Sequence, residues 1–298
     1  MPEQDVDPSV HRRKLRNILR QLREDCGKKQ NGTAAAMSWS VSKLIRIESG
    51  SVTISVNDLK ALLQLYGITD PEYVDSLVEM AKLARQRSWL SGYKGMASDA
   101  YLSYLAYEEL AVRSYNFQPV LVPGLLQLEE YARSIIRVVR GPKIPSRIEG
   151  LVELRTIRQE KVFSRSDIHL HFLIDESAIR RPVGGAEVMD RQIRHLLEVG
   201  QHDNVSISII PFEAGFYRSI RVPFVVFQFG QPEDEAILYL EYPQGEEIVR
   251  EDIPAADGET GSELTPPTYL EIFAELEQHT SEAKTKAILE SALKDLQS

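Results

Sequence analysis

A single cysteine, Cys26, stands among the 298 residues of the chain. One cysteine excludes an intrachain disulfide and, by itself, a thiolate metal cluster. No apolar run approaches the roughly 18 residues of a membrane span. The first residues, Met1-Pro-Glu-Gln-Asp-Val-Asp-Pro, lack the apolar stretch of a secretion signal. Neither a G-x-x-x-x-G-K phosphate loop nor an H-E-x-x-H zinc motif occurs, and no segment repeats. These absences predict a cytoplasmic protein with no membrane partner, no cofactor, no metal and no catalytic residues. What is present is ordinary for a folded chain: 43% hydrophobic and 27% charged residues, at a length suited to about two domains.

The net charge of -9 argues against a polyanionic partner, but its distribution points the other way. Residues 11–50 hold ten lysines and arginines against Glu24, Asp25 and Glu48, a net +7. Residues 228–298 hold seventeen acids against Arg250, Lys284, Lys286 and Lys294, a net -13. A basic head on an acidic body suits local phosphate contact, because counterion release depends on the charges at the interface.

Periodicity places a helix over 10–26, with Leu15, Ile18, Leu19 and Leu22 on one stripe and Arg12, Arg16, Arg20 and Arg23 on another. That arginine face reads first as solvated, with nucleic-acid contact as the alternative. A short alanine-rich helix follows over 30–37, then a turn at Ser38-Trp39. Ser40 is placed to cap a helix over 41–49, with Leu44 and Ile47 inward. Helices from Ser55 to Tyr66 and from Pro71 to about Arg87 complete a five-helix bundle. Beyond residue 95 the predicted elements are mixed. Helices are expected over 100–114, 126–140, 147–164, 187–199 and, as one or two pieces, 269–297. Strands are expected over 168–174, 205–211, 223–229 and 236–242, with an extended loop from Phe117 and an acidic loop over 244–268.

The segment from Gly27 to Gly50, GKKQNGTAAAMSWSVSKLIRIESG, carries the clearest chemistry. Two short helices and a tight turn let the second present its N-terminal side chains to base edges while the first buttresses it. Ala34, Ala35 and Ala36 suit close helix packing, and Met37, Trp39, Leu44 and Ile47 supply an internal core. The segment resembles, without a gap, the phage-repressor or xenobiotic-response-element (Xre) class of helix-turn-helix. The resemblance implies a phosphate contact at Gln30, a cap on the recognition helix at Ser40, and groove-facing positions at Val41, Ser42 and Arg46. It also matches Arg46-Ile47-Glu48-x-Gly50 to the closing pattern of that class. Ser42 and Arg46 are expected to read bases, with phosphate the alternative for Arg46, Val41 to touch a thymine methyl, and Lys28, Lys29 and Lys43 to meet phosphate.

Residues 101–298 resemble the C-terminal region of actinobacterial Xre-type regulators described as antitoxin-like, among them the WhiJ-type developmental regulators. The blocks that carry this are Glu109–Arg113, FQPVLVPGLLQ at 117–127, Glu130–Arg133, Leu151–Gln159, HFLIDESAIRRPVGG at 171–185 and IIPF at 209–212. The resemblance implies a partner, a small protein encoded by a neighbouring gene.

From the residues alone, His169 and His171 share a strand face ahead of Asp175 and Glu176, where a metal site competes with plain surface or core histidines. Arg180, Arg181 and the following glycines fit an anion site or a solvated turn. Tyr115, Phe117, Phe212, Phe216 and Tyr217 fit an apolar pocket or a core, which leaves Arg180, Arg181, Phe212 and Phe216 as a candidate ligand or partner site.

The expected architecture is α+β: an all-α five-helix helix-turn-helix domain over 1–95, then an effector domain over 96–298 with a mostly antiparallel sheet. The expected function is transcriptional regulation, with repression the expected sign, on the nucleoid. The partner is double-stranded DNA bearing a pseudo-palindromic operator met by a homodimer. The effector domain senses a ligand or binds a small protein; the alternative is a small-molecule enzyme fused to a DNA-binding head. The final helix, with Leu270, Ile272, Phe273 and Leu276, serves dimerisation or packs on its own domain.

Overall fold

The computed structural model describes residues 8–50, 52–86, 88–141, 145–230, 236–250 and 264–297. Two compact units divide the chain, Met1–Gly92 and Tyr93–Ser298.

The first unit is built from α1 (Pro8–Asp25), α2 (Gln30–Ala36), α3 (Val41–Glu48), α4 (Val56–Leu65) and α5 (Pro71–Leu83). Three of these begin where a short polar side chain accepts a hydrogen bond from the first turn: Ser40 from Lys43, Ser55 from Asp58 and Asp70 from Tyr73. The apolar stripe of α1 buries Leu15 and Leu19 against Ile47, Leu59, Leu62, Leu63 and Leu77. Leu44 is fully enclosed, while Met37 and Trp39 close the edge of the same core. Of the three alanines expected to pack closely, only Ala34 is buried, and Ala35 and Ala36 face outward.

The turn between α2 and α3 sets the direction of the second helix. The Ser38 N–H donates to Ala35 O (3.0 Å) and the Trp39 N–H to Ala34 O (2.8 Å), the paired closure of a Schellman motif. That closure needs a left-handed residue. Gly27 and Gly67 fill the role after α1 and α4, but here Ser38 does so with φ 55°.

The second unit carries one six-stranded sheet in the order β3-β2-β1-β4-β5-β6. Its strands are β1 (Arg113–Gln118), β2 (His169–Asp175), β3 (Val205–Ile210), β4 (Phe224–Gln228), β5 (Ile237–Tyr242) and β6 (Gly245–Arg250). Its helices are α6 (Asp99–Glu108), α7 (Glu129–Arg140), α8 (Pro145–Phe163), α9 (Glu176–Arg180), α10 (Ala186–Val199), α11 (Pro266–Glu277) and α12 (Glu282–Asp295). Strands β1, β2 and β3 run parallel, joined by helical crossovers, while β1–β4, β4–β5 and β5–β6 are antiparallel. The sheet is therefore mixed, with three antiparallel junctions and two parallel ones.

The two faces of the central strands differ in chemistry. Phe117 of β1, Phe224 and Val226 of β4, and Leu238 and Leu240 of β5 form an apolar face. Helix α11 covers it with Tyr269, Ile272, Phe273 and Leu276, and Leu270 packs at its margin. The final helical segment thus packs on its own unit, the plainer of the two roles expected for those residues. The opposite face presents Ser114 and Asn116, both buried, and Tyr239, whose ring lies 4.4 Å from that of Tyr104 on α6.

Two strands depart from the expected elements. β1 begins inside the expected helix over 100–114, because Ser114, Asn116 and Gln118 alternate with Tyr115 and Phe117 yet both sets are covered. β6 takes up part of the expected acidic loop, where Glu246 and Glu247 suit an edge strand, since charge discourages further pairing. Of the rest of that loop, 251–263 lies outside the described residues, and Pro266–Thr268 form the first turn of α11.

Replacing Ser38 by glycine should stabilise the first unit by roughly 0.5–1 kcal/mol, since a left-handed L-residue costs about 1–2 kcal/mol and part of the gain is offset by the entropy of glycine in the unfolded chain. Urea unfolding of wild type and Ser38→Gly measures this, and a lower midpoint in the variant would contradict the strain at this turn.

Candidate nucleic-acid interface

Helix α3 owes its amphipathicity to inward Leu44 and Ile47. Its outward side chains are Val41, Ser42, Ile45, Arg46 and Ser49. Val41 is 36% and Ile45 46% exposed, two β-branched apolar groups on a surface helix. Ile45 is a surface residue that the sequence motif does not single out, although the helical period sets it beside Val41, Ser42 and Arg46 and is the signal that could have found it. The Arg46 side chain has no hydrogen bond or ion pair among the described residues, so its guanidinium is free for an external acceptor.

The other basic groups divide sharply. Lys29 is exposed and Lys28 half-buried at the entrance to α2, with no side-chain partner among the described residues. Lys43 is engaged: its Nζ lies 3.1 Å from Asp58 Oδ2 and 4.0 Å from the centre of the Trp39 ring. Ser40 is engaged in its cap, accepting from the Lys43 N–H at 3.2 Å. The face of α1 is not simply solvated either. Arg12 donates to Ala84 O (2.6 Å) and Gln86 O (3.3 Å), and Arg16 to Ser49 O (2.8 Å) beyond the C-terminus of α3. Cations at helix C-termini satisfy orphan carbonyls and complement the helix dipole. Arg20 pairs with Glu24 at the surface.

The clamp beneath the motif is a buried carboxylate. Glu48, at the end of α3, receives the Arg23 Nε–H at 2.7 Å and Nη2–H at 3.2 Å. Gln30, the residue expected on phosphate, instead donates to Glu48 Oε2 at 2.8 Å. Arg23 also donates to Lys28 O at 2.9 Å and so holds the loop that opens α2. The bonds to Glu48 raise the guanidinium pKa above its ordinary value against the cost of burial, so the charge is permanent. Burial, with the nearby Glu48 charge, pushes the Tyr66 phenol up to about 12.

In the second unit, Glu176 links two of the predicted residues. Its Oε1 accepts from Arg180 Nε (2.9 Å) and its Oε2 from the Phe212 N–H (3.0 Å). Arg180 also pairs with Asp295 and reaches Ser291, so its charge is already met. Arg181 is exposed, as are Phe212 (56%) and Phe216 (85%). Phe117 and Tyr217 lie in the core, so the five aromatics do not line one pocket. Asp175 caps α9 and accepts from the Tyr217 hydroxyl at 2.5 Å. His171 stacks on Tyr115 at 4.8 Å, and no three His, Cys, Asp or Glu side chains gather among the described residues. No helix there is long and apolar enough to cross a membrane.

Taken together, these features define a helix-turn-helix protein, and a helix-turn-helix family matches residues 15–77. The chain belongs to the family characterised by the domain of unknown function DUF5753, which matches residues 101–257. No curated protein and no solved structure matches the chain. The first unit makes it a DNA-binding regulator in its general class.

Replacing Glu48 by alanine leaves the buried Arg23 Nε–H unpaired, with only the half-exposed Glu24 as counter-charge, and should cost about 3 kcal/mol. Urea unfolding followed by the Trp39 signal reads this directly, and an unchanged midpoint would show that the clamp carries no net stability.

Proposed function

We propose that the chain is a sequence-specific transcriptional repressor of the Xre type, related to the WhiJ-type regulators, acting on the nucleoid as a homodimer on a pseudo-palindromic operator. The observation that supports this most is the outward face of α3. Val41, Ser42, Ile45 and Arg46 form one contiguous strip with no intramolecular partner for Arg46, while Lys43, Arg12, Arg16 and Arg23 are held inside the unit. A helix set in the major groove presents such a strip to base edges. Arg46 suits the acceptor pair of guanine, and Ser42 suits either purine or pyrimidine edges. Val41 and Ile45 suit thymine methyls. Lys28 and Lys29 then lie at the phosphate margin, with Lys43 placed less freely because of Asp58. The unit from Tyr93 onward acts as the effector domain, sensing a ligand or binding a small protein from a neighbouring gene through the surface around Arg181, Phe212 and Phe216.

Genome-wide mapping of bound DNA supplies the operator for the decisive comparison. Arg46→Ala should lose about 1–3 kcal/mol on the specific duplex and far less on random sequence. Equal loss on both duplexes would remove Arg46 from base reading.

Lys28→Ala and Lys29→Ala should instead weaken both duplexes alike, and each should lower the slope of log K against log salt by about one. Sedimentation at the DNA-binding concentration should show a dimer, and a monomer would count against the pseudo-palindromic operator.

A further inference from the structure

The second unit contains a polar cleft where an ordinary sheet would bury an apolar layer. It lies on the Asn116–Tyr239 face of the sheet, under α6 and α8, is open on one side, and has a volume of about 150 Å³. Tyr101, Tyr104, Gln127, Arg155, Arg158 and Glu241 are among the side chains around it. Strand pairing accounts for the layout: Asn116 faces Val225, and Val225 faces Tyr239, so the three side chains form one row across β1, β4 and β5.

Three polar atoms in this wall lack a hydrogen-bond partner. They are Asn116 Oδ1, Tyr239 Oη and Arg155 Nε, and both Asn116 and Tyr239 are 2% exposed. An unpaired buried polar group costs stability, so groups of this kind gathered around one space point to a molecule that completes them. The charges narrow its chemistry. Arg158 is neutralised inside the wall: Glu108 receives its Nε–H at 2.6 Å and its Nη2–H at 2.7 Å, and its cation meets the Tyr104 hydroxyl at 2.6 Å. Arg155 brings a cation and Glu241 a carboxyl whose pKa burial raises above its ordinary value, and neither is in an ion pair among the described residues. Arg155 donates to Gln127 through Nη1 and keeps Nε–H unused, while Gln118 lies close to Glu241. A plain anion would face Glu241 and a plain cation would face Arg155.

We propose that this cleft binds a small zwitterion of the free α-amino-acid class, its carboxylate on Arg155 and Tyr239 and its ammonium on Asn116 and Glu241. The size agrees, since a cavity of this volume holds a ring the size of benzene, or roughly six to ten heavy atoms. The tyrosine rings of Tyr101 and Tyr104 supply an apolar wall for a side chain. The proposal names a ligand class for the sensory reading of this unit and rests on that reading for its purpose.

The test uses the full-length chain in isothermal calorimetry and thermal unfolding. The probes are the twenty α-amino acids, each beside its deaminated acid and its decarboxylated amine. At least one amino acid should bind once per chain and raise the unfolding temperature, while its acid and amine counterparts bind far more weakly. Arg155→Gln and Glu241→Gln should each weaken binding by about tenfold to a hundredfold, because each removes a charge-assisted bond. Ligand-free unfolding shows that a variant is folded, and Glu241→Gln decides the matter if Arg155→Gln is not. Absence of binding by the whole panel overturns the proposal, as does equal binding of an amino acid and its acid or amine, or undiminished binding by the folded variants. Anisotropy with labelled duplex on the same preparation keeps the two readings apart. DNA binding without amino-acid binding overturns the cleft alone, and amino-acid binding without DNA binding overturns only the regulator.

Discussion

The helix-turn-helix depends on one buried carboxylate. Glu48 closes α3, Arg23 comes from α1 and Gln30 opens α2, so a single side chain fixes the mutual placement of three helices. The attraction between two charges taken out of water offsets their desolvation only when nearly every donor and acceptor is matched. The bidentate pair, the Gln30 amide and the Lys28 carbonyl do that here. The arrangement is directional as well as stabilising, because shifting α3 along its axis would leave an ion unpaired in the core.

That clamp also explains the division of labour among the basic residues. A net positive head invites the view that every arginine meets phosphate, yet Arg12, Arg16 and Arg23 direct their donors to backbone carbonyls and Glu48. Buried or half-buried guanidinium groups find partners inside the unit, since leaving five fixed donors unmet is costly. What remains at the surface of residues 11–50 without a partner among the described residues is a smaller set: Lys14, Lys28, Lys29 and Arg46. On the proposed function, affinity and selectivity fall to different positions: lysines at the margin of α2 and a mixed apolar and polar strip along α3.

The second unit follows the opposite logic on one side of its sheet. The α11 face is filled by interlocking aromatics, with Phe224 edge-on to Tyr269 at 4.8 Å. The α6 face holds the Arg158–Glu108 pair and a tyrosine pair beside an open polar space. A sheet that needed only stability would fill both faces with apolar side chains, so the polar row at Asn116 and Tyr239 is destabilising unless something occupies it.

Much of this was legible before the fold was known. The five helices of the first unit follow from the 3.6-residue period, from caps at Ser40, Ser55 and Asp70, and from Gly27 and Gly67, all of them local signals. Four of the six strands follow from β-branched runs. β1 and β6 did not: the alternation of β1 is short and follows directly on a helical segment, and Glu246 and Glu247 make β6 read as a solvated acidic loop. On the outward strip of α3, Val41, Ser42 and Arg46 are implied by the family resemblance, and the helical period sets them on one exposed face. That Gln30 turns inward to Glu48, that Lys43 is held by Asp58 and Trp39, and that Arg180 is met by Glu176 and Asp295 could not be read in this way. Those partners lie between 4 and 115 positions apart in the chain, and most are joined only by folding. The sequence by itself determined the helices and the outward strip of α3, since periodicity and capping act within a few residues. Only the tertiary structure decided which charged groups remain available and where an unfilled polar space lies, because both depend on contacts between distant parts of the chain.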